Sequence, residues 1–247
     1  MDKKYINNNN LVYDLGMHNG DDTDYYLHKG YRVIAVDPNP DFIKKALIRF
    51  HEFIEKGQLV LIESAIWESE STRVFYISPN FPHLASLHKN WAAREDVNLT
   101  EIEVCCLPIE HLFALYGVPM YLKIDIEGSD ELVLDQLAML RYLPCYLSVE
   151  DCRFGFRYLE KLMALGYSSF KLVNQKHIAD SIDTTIGYRF SAHASGPMSE
   201  DAPGSWIPAC DIVQHYSETV RTVGGQRLSP FDTWWDIHCR GPAEFRI

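Results

Sequence analysis

The chain has 247 residues, of which 47% are hydrophobic, and a formal net charge of −11. Length and composition are typical of one soluble domain with a full core, and the acidic balance argues against nucleic acid as the main partner, since phosphates select basic surfaces. No apolar run approaches the roughly 18 residues that span a bilayer, so we expect no membrane partner. The start, "MDKKYINNNN", lacks the apolar core of an export signal, and the cysteines show no metal-finger spacing. We therefore expect reduced cysteines and a cytoplasmic protein.

Apolar, β-branched runs alternate with helical patterns over the first 175 residues. After a flexible lead-in, the first half predicts strand 11–16, helix 21–29, strand 31–37, helix 40–56 and strand 58–67. An extra strand, a mobile insertion and an edge strand follow over 73–78, 79–100 and 101–108. The second half predicts strand 120–128, helix 129–140, strand 145–151, helix 157–167, strand 169–174, helix 209–222 and strand 233–239.

This alternation predicts an α/β fold built from parallel βαβ units with right-handed crossovers. We expect the lead-in over 1–10 to be followed by one domain over 11–247, in which the insertion and a C-terminal extension, 176–232, flank the substrate. In such sheets a ligand binds beyond the carboxyl ends of the strands, where the strand order reverses. The residues at those strand ends are therefore expected to share one site.

Five acids fall at or near predicted strand ends, in "YDLG", "AVDP", "IESA", "KIDI" and "SVED". They are Asp14, Asp37, Glu63, Asp125 and Glu150. Each raises the pKa of its neighbours unless a cation or hydrogen-bond donors compensate. Singly, each acid suits a helix N-cap or a local Lys or Arg equally well. Together they fit a ligand with a positive charge and sugar hydroxyls.

The loop in "DLGMHNG" turns at Gly16 and Gly20 before a helix that begins near Asp21 or Asp22. A dinucleotide site would read GxGxxG and direct bare amides at a pyrophosphate, but the middle glycine is absent here. Acids at the helix start suit the helix dipole and would repel phosphate. Asp37 follows Gly16 by 21 residues, where a carboxylate accepts both hydroxyls of a ribose. A phosphate-free nucleoside with a cationic tail is S-adenosylmethionine.

The segments "VYDLGMHNGDDT", "VIAVDPNPDFI", "ESAIWES", "YLKIDIEGSDELVLDQL" and "YLSVED" resemble the FkbM-type family of S-adenosylmethionine-dependent methyltransferases over roughly residues 11–175. Many Rossmann-like enzymes share the acid–glycine loop, whereas its combination with K-I-D-x-E-G is more specific. The resemblance implies a Rossmann-like class I methyltransferase fold, with a doubly wound, mostly parallel seven-stranded sheet in the order 3-2-1-4-5-7-6 and helices on both faces. It also implies O-methylation of a hydroxyl on a natural product or sugar.

By this resemblance, the cofactor-binding residues are Asp14, Gly16, His18, Asn19, Gly20, Asp37, Pro38, Asn39, Ser64, Ala65 and Asp125. The glycine loop corresponds to the family's cofactor loop, Asp37 to the ribose acid, and 64–65 to the segment that packs on adenine. The loop departs from the family by carrying Met, His and Asn where small residues are usual. His18 therefore contacts the methionine end or the substrate, or it only caps or packs.

Asp125 and Glu127 are the catalytic candidates, because they leave the fourth main strand beside the expected position of the methyl group. Either could accept the proton that a hydroxyl nucleophile must lose. In the alternative, Asp125 positions the cofactor amine and Glu127 caps the helix at Ser129. Lys123 shares a strand face with Asp125, and we expect it to pair with Glu150 on the next strand.

A second version of the mechanism uses a divalent metal. Asp125, Glu150 and Asp151 could supply oxygen ligands to Mg²⁺ or Ca²⁺, although the small-molecule O-methyltransferases with similarly placed acids carry an Asp-Asn pair at the second strand end. The sequence leaves metal dependence open.

Substrate selection is predicted in the insertion and in the C-terminal tail that carries Trp234 and His238, where aromatic side chains accompany polar groups. The candidates are His83, His88, Trp91, Trp234 and His238. His238 is a second general-base candidate if the last strand returns to the site. The acceptor is expected to be a small molecule, while the atom methylated and the oligomeric state stay open.

Two other classes of function share this fold. An NAD-dependent Rossmann oxidoreductase would also use Asp37 for the ribose, but the missing GxGxxG and the acids around the loop disfavour it. A non-catalytic subunit with a degenerate cofactor fold would be expected to lack the loop or the ribose acid, and both are present.

Overall fold

The fold is known from a computed structural model that describes residues 3–6, 8–230 and 232–242. Its main sheet contains β1 (Leu11–Leu15), β2 (Arg32–Asp37), β3 (Leu59–Glu63), β4 (Tyr121–Ile124), β5 (Tyr146–Glu150), β6 (Ser169–Asn174) and β7 (Trp235–Arg240). These strands lie in the order β3-β2-β1-β4-β5-β7-β6, and β7 runs antiparallel to both of its neighbours. The predicted large, mostly parallel sheet is therefore confirmed.

The sheet has an eighth strand, so the prediction of seven strands was one short. Ile207–Pro208 pairs antiparallel with the outer edge of β6. Two residues are too few to show the alternation of apolar and polar side chains that identifies a strand in sequence.

Within the described residues the chain forms eight α-helices. They are α1 (Asp21–His28), α2 (Pro40–Arg49), α3 (His51–Glu55), α4 (Lys89–Ala92), α5 (Ile109–Tyr116), α6 (Asp130–Met139), α7 (Gly155–Ala164) and α8 (Ala209–Thr219). Short 3₁₀ turns cover Pro82–Leu84, Gln175–His177 and Ser199–Asp201. In this part of the chain, no helix combines the length and apolarity needed to cross a membrane.

The two faces of the main sheet are buried by different helices. In β1, Tyr13 and Leu15 belong to the apolar cluster that includes residues of α5 to α8, whereas Val12 belongs to the cluster with α1 and α2. Successive side chains of a strand point to opposite faces, so one strand contributes to both cores. Helices therefore cover both faces, as predicted.

The segment predicted as strand 58–67 divides between two sheets. After β3, Ser64 donates from its hydroxyl to the carbonyl of Cys105 (3.0 Å), and Ala65–Ile66 joins a separate three-stranded sheet with Ser71–Ile77 and Thr100–Leu107. The last of these lies in the centre of the small sheet, so the predicted edge position over 101–108 was wrong.

Short strand pairs also form near the start of the chain and within the C-terminal extension. Lys4–Ile6, within the segment expected to be a flexible lead-in, pairs in parallel with Tyr142–Pro144, and the hydroxyl of Tyr5 donates to the carbonyl of Leu165 at 2.6 Å. In the C-terminal extension, Ile182–Asp183 pairs with Tyr188–Arg189. Residues 1, 2 and 7 of the lead-in, and residues 231 and 243–247, lie outside the described residues.

The predicted helix 40–56 is broken at Phe50, where φ is −108° and ψ is 14°. The Phe50 side chain is 1% exposed, and its ring contacts the position that a Cβ would occupy at Gly20. The break therefore places the ring of Phe50 against the loop that follows β1.

We expect Phe50→Ala to lower the free energy of unfolding by about 3–5 kcal/mol, because it empties a filled core position. Urea denaturation measures this change. Ile48→Ala is the matched control, because Ile48 is 82% exposed, and it should alter the free energy by no more than about 0.5 kcal/mol. Equal effects of the two substitutions would contradict this role for Phe50.

Candidate active site

A cavity of about 450 Å³ lies beyond the carboxyl ends of β1 to β5. The chain order reverses between β1 and β4, which is where open α/β sheets bind ligands. Every one of these five strand ends contributes to the wall. The contributing residues include Gly16, Asp37, Ser64, Asp125 and Glu150.

The loop after β1 is shaped by two glycines with positive φ. Gly16 has φ +83°, and a Cβ there would lie 1.8 Å from the carbonyl oxygen of Asp125. Gly20 has φ +82°, and a Cβ there would lie 2.7 Å from the ring of Phe50. Gly16 lines the cavity, whereas Gly20 is not on the wall and allows the loop to pack on the core.

Asp37 is held at the end of β2 by two backbone amides. Its Oδ2 accepts from the amide of His18 and its Oδ1 from the amide of Asn39, each at 2.8 Å. Burial raises the pKa of Asp37 to about 7, although both amides act to lower it. Since the carboxylate also lines the cavity, it is oriented and available to a ligand with hydroxyl groups.

Lys123 lies on the cavity wall at the centre of a group of aspartates. Its Nζ is 3.6 Å from Oδ1 of Asp14, 3.5 Å from Oδ2 of Asp22 and 3.3 Å from Oδ2 of Asp125. Burial alone would lower the pKa of Lys123, but the surrounding carboxylates raise it well above its usual value. The expected pair with Glu150 is wrong: the acids that Lys123 contacts lie on β1, on α1 and just after β4.

Asp14 does not reach the cavity wall, although the sequence assigned it to the cofactor. It is fully buried, and its Oδ2 accepts from the hydroxyl of Thr23 at 2.6 Å. Its contact with Lys123 makes it a positioning residue, because Lys123 in turn contacts Asp125 on the wall.

Glu127 lies on the wall with a left-handed backbone, φ +53°. Its Oε2 accepts from Nε1 of Trp91 at 2.8 Å and from Nη2 of Arg94 at 2.7 Å. Burial and then the charge of Asp125 raise the pKa of Glu127 to about 7, against the effect of Arg94. The alternative in which Glu127 caps α6 is wrong, because no side chain among the described residues caps the start of that helix and Glu127 binds Trp91 and Arg94.

Glu150 and Asp236 meet at the ends of β5 and β7, where they are paired across the antiparallel strands. Both line the cavity, and for both, burial and then the charge of Asp125 raise the pKa well above its usual value. Asp151 differs, because it binds Nη2 of Arg221 at 2.6 Å and is absent from the wall. The predicted metal set with Asp151 is therefore wrong, whereas Asp125, Glu127 and Glu150 each offer an oxygen within 4.8 Å of the others.

The insertion covers one side of the cavity. His83 is on the wall, with its ring centroid 6.3 Å from that of His18. His88 and Trp91, also predicted to contact substrate, are not on the wall. His88 lies 3.1 Å from the hydroxyl of Ser129, and Trp91 contacts Glu127, so these two residues fasten the insertion to the loop after β4.

The last strand reaches the site through Asp236 rather than through His238. His238 lies two residues further into the sheet, is 2% exposed and stacks on Tyr121 with ring centroids 6.4 Å apart. Burial lowers the pKa of His238 to about 3. It is therefore a core residue, and the general-base role considered for it is wrong, whereas Trp234 does line the cavity.

The cavity brings together twelve of the residues that the sequence selected: Gly16, His18, Asn19, Asp37, Pro38, Asn39, Ser64, Ala65, His83, Asp125, Glu127 and Trp234. The wall also holds Glu150, which the sequence named as a strand-end acid and candidate metal ligand, together with Asp22, Arg94, Lys123, His193, Ser195 and Asp236. The acids among them lie at the ends of strands or at the start of a helix, as the sequence pattern predicts. His193 and Ser195 come from a stretch without periodicity, which gave no signal.

One family matches the chain by its sequence pattern: the methyltransferase FkbM domain, over residues 14–179, which is more than half of the chain. No curated protein matches the chain in sequence. Among solved structures, the chain is similar to a methyltransferase FkbM from Methylobacillus flagellatus KT, with a TM-score of 0.37 and 15% identity. That match covers 60% of this chain and only 32% of the other.

The chain is also similar to a precorrin-6y C5,15-methyltransferase from Geobacter metallireducens GS-15, with a TM-score of 0.43, 11% identity, and 97% and 81% of the two chains covered. A similarity to an rRNA methylase from Streptococcus thermophilus has a TM-score of 0.39, 12% identity, and coverage of 98% and 90%.

We expect Lys123→Met to lower the free energy of unfolding by about 3–5 kcal/mol, because it leaves buried carboxylates without their cation. Adding Asp14→Asn should restore part of the loss, since it removes one of those charges. Urea denaturation of both variants measures the changes, and Lys44→Met, on a solvent-exposed lysine, is the control. A Lys123→Met protein as stable as the wild type would show that the aspartates do not need the ammonium.

Proposed function

The chain belongs to the FkbM methyltransferase family, and we propose that this methyltransferase transfers the methyl group of S-adenosylmethionine to a hydroxyl of a small polar molecule. One observation carries the proposal: Asp37, Asp125 and Glu127 share the wall of a single cavity at the switch point of the sheet. Asp37 is the acid suited to a ribose, and the other two are the acids of the K-I-D-x-E-G segment, residues 123–128, which we call the signature segment.

The cofactor end of the cavity is assigned by its hydrogen-bonding groups and charges. The fixed carboxylate of Asp37 suits the two ribose hydroxyls, and the apolar part of 64–66 supplies a wall for the adenine. Asp125, beside the turn at Gly16, suits the amine of the methionine end. Negative side chains around this loop favour a sulfonium and disfavour the pyrophosphate of NAD.

The acceptor end lies between the signature segment, the insertion and the tail, near His18, His83 and Trp234. A cavity of about 450 Å³ that also receives the cofactor leaves room for a small acceptor only. Residues of 82–87 and 193–195 close its sides, which limits the access of water to the methyl group.

Methyl transfer is an in-line displacement, so the protein mainly has to orient the acceptor oxygen and the methyl carbon. The acceptor oxygen forms a bond to the methyl carbon while the carbon–sulfur bond breaks. The electron pair of the broken bond stays on sulfur, which becomes a neutral thioether. The hydroxyl proton passes to a carboxylate at this end of the cavity. Glu127 is the proposed proton acceptor, oriented by Arg94 and Trp91, while Asp125 is assigned to the cofactor amine.

A cytoplasmic location is part of the same proposal. Among the described residues the six cysteines form no disulfide, which suits a reducing compartment.

S-adenosylmethionine and S-adenosylhomocysteine should each stabilise the protein, whereas NAD should not. At a hundredfold excess over Kd the expected gain is about 2.7 kcal/mol, or about 5–10 °C in Tm. Thermal-shift measurements with each compound alone test this directly. Stabilisation by NAD alone would favour an oxidoreductase, and stabilisation by none of the three would favour a non-catalytic subunit.

Asp37→Asn should weaken S-adenosylmethionine binding about tenfold to a hundredfold, because charge-assisted hydrogen bonds to the ribose are lost.

In the wild type, affinity should rise with pH through about 7 and level off above it, because the ribose hydroxyls bind the ionised carboxylate and the pKa of free Asp37 is raised to about 7. Calorimetry at several pH values measures both effects. Glu63→Gln, at the exposed end of β3, is the control, and an unchanged affinity in Asp37→Asn would contradict the assignment.

A further inference from the structure

We propose that the acceptor end of the cavity binds a divalent cation of the oxygen-seeking class, such as Mg²⁺ or Ca²⁺, through the carboxylates of Asp125, Glu127 and Glu150. One oxygen from each of the three lies within 4.8 Å of the other two. These ions bind carboxylate oxygens at roughly 2.0–2.6 Å, so an ion between the three carboxylates is in reach of all of them. The residues come from the turn after β4 and the end of β5, which are rigidly joined by the parallel pairing of those strands.

Each of these carboxylates is oriented by a protein donor on one oxygen. Oδ2 of Asp125 faces the ammonium of Lys123 at 3.3 Å, and Oε2 of Glu127 accepts from the side chains of Trp91 and Arg94. Oε2 of Glu150 accepts from the thiol of Cys152 at 3.1 Å.

In the part of the chain that the structure describes, no side-chain or backbone donor binds the second oxygen of any of the three. One oxygen held by the protein and one left for an ion is the arrangement by which outer groups orient metal ligands.

Asp236 is an independent observation that points to a cation. Its side chain lines the same cavity, opposite Glu150 in the strand register, and the residue is only 5% exposed. Among the described residues Asp236 forms no salt bridge; Lys123 and the side chain of Gln175 both act to lower its pKa, although Nε2 of Gln175 donates no hydrogen bond. A buried carboxylate without a salt bridge is costly, so Asp236 either keeps its proton, as its raised pKa indicates, or lies beside a positive ligand in the cavity.

Lys123 and Arg94, the lysine and arginine of the cavity wall, are in direct contact with other acids. Lys123 is shared among three aspartates, and Arg94 is bound to Glu127. A divalent ion would balance the remaining acids, and it would offer open coordination positions to oxygen atoms of the acceptor. This site does not depend on the acceptor proposed above, because ion binding is measurable on the protein alone.

The test uses the full chain, treated with EDTA and dialysed, and a titration with Mn²⁺ followed by electron paramagnetic resonance of the free ion. The titration is done with and without S-adenosylmethionine. We expect one Mn²⁺ per chain, displaced by Mg²⁺ or Ca²⁺, and binding that is weaker by about tenfold or more in Glu150→Gln and in Glu127→Gln. Asp37→Asn is the matched control within the cavity: it should bind Mn²⁺ like the wild type while binding S-adenosylmethionine more weakly.

No saturable Mn²⁺ uptake under either condition would overturn the ion site, as would equal uptake by the wild type and both glutamate variants. If these acids instead bind an amine of the acceptor, which is the other cation that suits them, the protein alone would take up no Mn²⁺. Thermal unfolding establishes that the variants are folded; Glu127→Gln loses the ion pair with Arg94 and should lower Tm more than Glu150→Gln does. S-adenosylmethionine binding without Mn²⁺ uptake would reject the ion site alone, whereas Mn²⁺ uptake without cofactor binding would reject the proposed cofactor alone.

Discussion

The interaction on which the site depends is the contact of one buried ammonium, that of Lys123, with three carboxylates. Asp14, Asp22 and Asp125 lie on β1, on α1 and after β4, so one cation joins three parts of the chain. Removing charges from water costs several kcal/mol per ion, and mutual attraction offsets this cost only when the geometry is good. The ammonium therefore fixes the loop between β1 and α1 relative to the end of β4, and these are two sides of the cavity.

A second carboxylate, that of Glu127, gives the insertion a defined place. Its backbone conformation is rare for a residue with a side chain, and Trp91 and Arg94 both donate to it. The next residue, Gly128, has φ +97°, and a Cβ there would lie 3.1 Å from the ring of Trp91. The signature segment thus combines two roles: it presents acids to the cavity and it receives the side chains that hold the insertion over it.

The balance of charge in the cavity supports the ligands proposed for it. Lys123 and Arg94 are both bound to acids, and further carboxylates line the wall without a cation of their own. Such a cavity repels phosphates and attracts cations, because field lines concentrate in a cleft with low-dielectric walls. A sulfonium nucleoside fits this field, and so does a divalent ion beside it.

The sequence by itself determined the alternation of strands and helices, the acids at the strand ends and the glycine turn, because these follow from local periodicity and from the conformational freedom of single residues. Only the tertiary structure decided which acid each cation meets. Strand β4 lies between β1 and β5, and both neighbours carry an acid, but Asp14 is directly opposite Lys123 whereas Ser148 occupies that position on β5.

The same cause separates Asp236 from His238 and Glu150 from Asp151. A shift of two residues along a strand moves a side chain from the cavity into the core, and a shift of one residue turns it to the other face. Register depends on pairing between segments far apart in the chain. The local apolar pattern limits which face of a strand is buried but does not select its partner residues, and for that reason the sequence located the edge of the sheet while the folded chain selected the residues that face the cavity.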